Sequence, residues 1–216
     1  MGAKPGRATD AVESLPSRRE EILDAAAEAF MTLGFAATSI DSICAALGLT
    51  KGSVYYHFRS KSDLFFAVHR RAMERTRVAL TGAAPDAPPA ERLHAMAFAH
   101  AMLIMEHLPD LRVAALGLEM HLMVRTTAAE RADLEELVAL RDANERLYVA
   151  VIEEGVARGV FRKVDPRLAS KPLLGALNWT SRWYQPRPRQ RRADRAAIAT
   201  ELADFVLGGL LHRSTC

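Results

Sequence analysis

The stretch Leu49–Leu64, "LTKGSVYYHFRSKSDL", decides the fold. It sets a lysine, a glycine, two adjacent tyrosines and a histidine inside a short helix that a glycine turn precedes. At 100° per residue, Val54 and Phe58 fall on one side, with Leu47 and Leu49 close by. Gly52, Ser53, Tyr55 and Tyr56 spread over the opposite arc. A helix so divided packs on one side and offers polar groups on the other. Immediately upstream, Ile40, Ile43, Cys44 and Leu47 make a second short helix that Gly48 ends. Two short helices joined by a tight glycine turn and packed on a first helix form the helix-turn-helix pattern, whose second helix enters the major groove of DNA.

Cap signals frame these helices. Ser17 with Glu20 reads as a capping box for a first helix, whose apolar face runs through Ile22, Leu23, Ala26, Phe30 and Leu33 and which Gly34 closes. Thr38 with Asp41 repeats that logic for the second helix. Ser60 with Asp63 opens a longer one that reaches about Leu80. The loop "TGAAPDAPPA" marks a boundary. Beyond it, helical periodicity covers Ala90–His107, Leu111–Val124, Ala128–Gly155, Pro166–Tyr184 and Arg192–Leu211, and no segment alternates at period two. The expected fold is all-α: a disordered leader over 1–16, a three-helix head over 17–63, and a larger helical body over 64–216.

Composition excludes several classes. Half of the 216 residues are apolar, enough for a real core, and the two cysteines, Cys44 and Cys216, make no disulfide framework. No apolar run is long enough to span a bilayer, and the N-terminus has no secretion signal, so the expectation is a cytoplasmic protein without membrane contact. His94, His100, His107 and His121 lack consistent ligand spacing, so no metal site is expected. No phosphate loop, nucleophile elbow or acid–base constellation is present, and neither catalysis nor a cofactor is expected. The net charge is +3, and residues 1–80 carry 11 Lys+Arg against 9 Asp+Glu. DNA binding by such a head depends on specific contacts more than on bulk charge.

The chemistry of the exposed arc fits that task. Gly52 lets backbone approach a base edge or phosphate, while Thr50 and Lys51 stand at a helix start, where free N–H groups attract phosphate. Tyr55, Tyr56 and His57 supply hydrogen bonds to phosphate oxygens, and the tyrosine rings reach thymine methyls. The run Thr38-Ser39-Ile40 through Ala45-Ala46-Leu47-Gly48, followed by "KGSVYYHFRSKSDLF", resembles the DNA-binding domain of the TetR/AcrR-type regulators over about Ser17–Phe66. That resemblance implies a homodimer that reads a palindromic double-stranded operator, usually as a repressor. Position by position it implies base and backbone contacts at Lys51, Gly52, Ser53, Tyr55 and Tyr56, and phosphate clamps at Thr38, Thr50, His57 and Lys61.

In the body one string stands out, "NWTSRWYQPRPRQRR". Trp179 and Trp183 share a helix face with Arg182 beside them. They read either as core or dimer interface, or as an aromatic wall with a cation for a flat or anionic ligand. The string resembles the C-terminal regions of TetR-type repressors of fatty-acid and steroid-ring catabolism, which implies an acyl-coenzyme A effector with its polyanionic tail at the protein surface and its acyl group in an apolar tunnel. The arginines that follow Arg182 read as a solvated loop or, near a ligand mouth, as partners for phosphates. Met102, Met120 and Met123 are among the apolar residues that suit either an acyl tunnel or plain core. The last two helices carry apolar stripes, and two from each of two chains make the four-helix interface that the resemblance implies. A multidrug-type pocket is the alternative effector site. A helical small-molecule carrier whose head is only structural is the alternative from another class.

Overall fold

The computed structural model describes residues 17–122 and 127–212, with the side chains of 116–126 excepted. The leader over 1–16 and Met123 lie outside the described residues, as does the side chain of Met120. Among the described residues there are nine helices and no strand: α1 (Arg18–Ala37), α2 (Ile40–Leu47), α3 (Lys51–His57), α4 (Lys61–Gly82), α5 (Pro89–Glu106), α6 (Leu108–Leu122), α7 (Ala128–Ala157), α8 (Pro166–Trp183) and α9 (Arg192–Gly208).

Local signals account for most helix ends, with two corrections. Ser17 Oγ accepts from the Glu20 backbone N–H at 3.3 Å, but the Glu20 carboxylate turns away to Arg71 of α4, so only half of the expected box forms. The α2 box is built one residue later than expected, between Ser39 and Ser42, whose hydroxyls accept from each other's backbone N–H at 3.0 and 3.2 Å. Thr38 instead ends α1, and Asp41 is free to meet Lys51 at 2.9 Å. Gly34 breaks the helical geometry of α1 at φ 80°, and Gly48 closes α2 at φ 64°, a left-handed conformation that costs glycine nothing. Ser60 caps α4 at 3.0 Å, and the Asp63 carboxylate accepts in return from Arg59 N at 2.8 Å.

Two hydrophobic clusters organise the chain. The first gathers Ile22, Leu23 and Phe30 of α1, Ile43 of α2, Val54 of α3, Phe58, and Leu64–Val68 of α4. It does not stop at the head: Val113 of α6 and Leu134 and Leu137 of α7 belong to it. The second holds Met96 and Met102 of α5, Tyr148 and Ile152 of α7, Leu173 and Leu177 of α8, and Ala199 and Ala203 of α9. Helix α4 serves both, with Ala72 and Leu80 in the second cluster. Helix α5 and helix α9 pack closely, with Ala97 and Ala101 on one and Ala199 and Ala203 on the other, all fully buried.

Charge fastens the two clusters together along α4. Arg71, only 10% exposed, lies 2.8 Å from both Glu20 and Asp24 of α1 and 2.7 Å from Asp110 of α6. Arg75 meets the other oxygen of Asp110 at 3.0 Å. On the far side Arg70 forks onto Glu136 of α7 at 2.6 and 2.9 Å. Removing one partner from the buried Arg71–Asp110 pair costs about 3–5 kcal/mol, because the other charge stays dry and unpaired, whereas the exposed Arg70–Glu136 pair contributes little.

Candidate nucleic-acid interface and effector cavity

Helix α3 is held by Val54 and Phe58, 0% and 2% exposed, as its periodicity predicts. Each such burial is worth about 1.5–3 kcal/mol, enough to fix a seven-residue helix that would not form alone. Thr50 caps the helix, accepting from Ser53 N at 3.2 Å, and its hydroxyl also meets Ser53 Oγ at 3.0 Å. On the outer arc Tyr55 is 50% and Tyr56 85% exposed, unusual for rings with no structural duty. His57 packs edge-on to Tyr56. Lys51 is exposed, and its hydrogen bond from Nζ to Asp41 raises its pKa above the ordinary lysine value. Gly52 has no internal justification: its φ is not positive, and an added Cβ would meet only Thr50 Oγ1, at an ordinary 3.7 Å.

Two predicted phosphate clamps do not stand on this surface. Thr38 is 1% exposed, and its hydroxyl donates to the Gly34 carbonyl at 2.8 Å. Lys61 turns its ammonium onto the carbonyls of Phe35 and Thr38 at 2.7 and 2.8 Å, with that of Ala36 at 3.3 Å. It closes the C-terminus of α1, where helix carbonyls lack partners, and lies 4.5 Å from the Phe35 ring centre. The outward set is therefore Thr50, Lys51, Gly52, Ser53, Tyr55, Tyr56 and His57.

The body encloses a cavity of about 270 Å³ between α4, α5, α6, α7 and α8. Its apolar wall includes Met73, Leu80, Leu111 and Leu174. Its polar wall is His69, Thr76, His100, Asn144 and Tyr148, with Arg141, Glu145 and Asn178 toward the surface. His100 Nδ1 is 3.1 Å from the Tyr148 hydroxyl, which lies 3.3 Å from the Met96 carbonyl. Burial lowers the His100 pKa to about 4 and raises that of Tyr148, so both are neutral at physiological pH.

None of the body residues singled out from the sequence lines this cavity among the described side chains. Trp179 and Trp183 are 62% and 45% exposed on the outer face of α8, with the Arg182 guanidinium 6.0 Å from the Trp179 ring centre. Trp183 borders a separate surface cleft of about 360 Å³ with Tyr184, Arg187 and Pro188. Met102 is buried in the second cluster. His100 drew attention only as a histidine without ligand spacing, and the other polar residues of the cavity are each a single polar position in an otherwise apolar stripe. A wider groove of about 620 Å³ between α1 and the α5–α6 corner is lined by Glu21, Asp24, Glu28, Glu106 and Asp110, which suits neither DNA nor a polyanion.

The first turns of α6 touch the charged cluster on α4, the cavity, the end of α8 and the first hydrophobic cluster. Asp110 binds Arg71 and Arg75, Leu111 and Ala114 line the cavity, and Val113 sits in the first cluster. Arg112 donates to the carbonyls of Ser181 and Tyr184 at 2.7 and 2.9 Å, closing the C-terminus of α8. Among the described residues no group of side chains could hold a metal ion, and no helix is long and apolar enough to cross a membrane.

Comparison with known proteins agrees with this layout. Residues 22–68 match the model of the tetR family of bacterial regulatory proteins, and residues 86–210 match that of the tetracyclin repressor-like C-terminal domain. The chain is 30% identical over 188 residues to the HTH-type transcriptional repressor KstR2 of Mycolicibacterium smegmatis, covering 83% of this chain and 85% of the relative. Among solved structures, the regulator PfmR from Thermus thermophilus superposes with a TM-score of 0.76 at 32% identity, covering 89% of this chain and 99% of that one. AibR, solved in complex with isovaleryl coenzyme A and operator DNA, shares the fold with a TM-score of 0.71 at 23% identity, over 90% and 98% of the two chains.

Proposed function

Because the chain belongs to the TetR family of DNA-binding transcriptional regulators, we propose that it is a cytoplasmic homodimeric repressor, released from a palindromic operator by an acyl-coenzyme A thioester. The observation that carries the DNA half is the outward arc of α3, where two adjacent exposed tyrosines follow a capping threonine and a glycine that the fold itself does not require. Two such helices enter successive major grooves about 34–36 Å apart. The head ends at about residue 63 and the body takes up the rest, although the first cluster crosses that line.

The dimer reading is supported by α8 and α9. Leu168, Gly175, Trp179, Arg182 and Trp183 fall on one face of α8 by their spacing, and Leu168, Trp179 and Trp183 are left exposed, as is Phe205 of α9. Exposed rings of this size mark an interface more than an effector wall. Among the residues predicted for ligand, Trp179 and Trp183 are therefore assigned to the partner subunit.

The effector reading rests on the 270 Å³ cavity, which lies just below the usual range of ligand sites, about 300–1,000 Å³, and suits a short acyl group. Arg141 at its edge has Asp142 only at 3.7 Å, and its guanidinium is placed to meet a phosphate. AibR, of the same fold, was solved with a short branched acyl thioester. A multidrug-type site is less favoured, since Tyr148 and two histidines supply the only rings among the cavity's described lining. The test is footprinting on the DNA that flanks the gene, followed by titration with acyl-coenzyme A thioesters and with cationic dyes. Protection of a palindrome that thioesters abolish is expected. Absence of any protected site at moderate salt refutes the operator reading, and release by dyes alone refutes the thioester reading.

A further inference from the structure

The hydrogen bonds around the cavity are not symmetric between donors and acceptors. The Met96 carbonyl can only accept, so the Tyr148 hydroxyl, 3.3 Å away, spends its single proton there. With that proton on Met96, the tyrosine oxygen receives the proton of His100 Nδ1 at 3.1 Å. The opposite tautomer would draw the tyrosine proton from Met96 to Nδ1. The ring's Nε2 is left as a bare lone pair, and the structure gives it no hydrogen-bond partner among the described residues.

The same pattern recurs on two other helices. Asn144 points its amide nitrogen at the Met73 carbonyl, 2.9 Å, and at the Met73 sulfur, 4.0 Å, leaving its amide oxygen without a proton to accept. Thr76 gives its proton to the Ala72 carbonyl at 2.9 Å, which leaves only lone pairs on its oxygen. Three lining residues, from α5, α7 and α4, have each turned their protons toward protein and left an acceptor. A hydrocarbon filling this space strips water from those acceptors and returns nothing, and an unmet buried acceptor is costly.

We propose that the acyl group admitted to this cavity carries a hydroxyl that donates to His100 Nε2, so that the effector is a hydroxyacyl thioester and not its hydrocarbon parent. The proposal rests on the thioester reading above. It predicts discrimination against the unsubstituted parent by about tenfold, the equivalent of one buried hydrogen bond.

The test is calorimetric titration of the full chain with matched pairs: butyryl- and 3-hydroxybutyryl-coenzyme A, and hexanoyl- with 3-hydroxy- and 6-hydroxyhexanoyl-coenzyme A. At least one hydroxylated member is expected to bind about tenfold more tightly than its parent. His100→Phe should erase that preference, so that the hydroxylated and parent thioesters of each pair bind alike. Tyr148→Phe, which keeps the ring's packing, frees the imidazole proton to move to Nε2 and should shrink the preference. The nitrogen NMR signals of His100 in the unliganded protein should show Nδ1 protonated at pH 7. Equal binding within every pair, persistence of the preference in folded His100→Phe, or a proton on Nε2 in the unliganded protein would each overturn the proposal. Failure of every thioester to bind would overturn the effector reading beneath it as well.

Discussion

Gly52→Ala should make the protein more stable and a worse DNA binder at once. The added methyl has room, since its nearest neighbour would be Thr50 Oγ1 at 3.7 Å, and the backbone there needs no positive φ. Alanine also loses less backbone freedom on folding than glycine. In the first turn of a helix that gain is about 0.5 kcal/mol, the low end of the usual difference, or roughly 1–2 °C in Tm for a chain of this size. On the operator the sign reverses. The methyl stands on the arc proposed to face the groove, and forcing one carbon into a packed contact costs about 1 kcal/mol at each head. Two heads then lose about 2 kcal/mol, roughly 30-fold in Kd. Thermal denaturation gives the first quantity and fluorescence anisotropy on the protected palindrome gives the second. A variant that melts earlier would show that the fold does require Gly52. One that melts later and binds equally well would show that nothing approaches it closely.

Other perturbations separate roles that the sequence had merged. Lys61→Met should lower stability by about 1–2 kcal/mol through the lost closure of α1, yet leave the salt dependence of operator binding unchanged. Lys51→Met should reduce that slope by about one for each phosphate it no longer neutralises; paired salt titrations compare the two. His100, held at about 4 against an ordinary 6.5, stays neutral over a range in which the unfolded chain takes up the proton. Stability should therefore fall as the pH drops from 6.5 toward 4, by up to about 3 kcal/mol, and His100→Phe should flatten that limb of the Tm profile. Trp179→Glu combined with Phe205→Glu should yield monomers in light scattering, with operator affinity disappearing along with the dimer.

What could be read before the structure was whatever local rules decide. The helix order and most boundaries follow from caps, glycine stops and 3.6-residue periodicity, and the division of α3 into Val54/Phe58 and Tyr55/Tyr56 faces follows from angle alone. Thr38 and Lys61 went astray because a resemblance carries positions and not directions. Both side chains turn inward to carbonyls near the end of α1, Thr38 to its own helix and Lys61 from α4, the latter a demand visible only once α1 and α4 are placed side by side. The cavity was illegible for a related reason. Its wall takes one to four residues from each of five helices, and a lone Thr76 between Ala72 and Leu80, or Asn144 four residues before Tyr148, looks like a minor blemish in a stripe. Tryptophans and methionines drew notice by their chemistry, but exposure depends on what packs beside them, and Trp179 and Trp183 face away from the core.

The opening turns of α6 have a genetic consequence. Asp110, Leu111, Arg112 and Val113 face, in succession, the charged lock on α4, the cavity, the end of α8 and the core beneath the head. Four neighbouring codons thus report to four separate parts of the molecule. If the cavity is the effector site, a selection for alleles that still silence their target but no longer respond would enrich substitutions there, at Arg112 above all, whose side chain neither lines the cavity nor stands on the α3 arc.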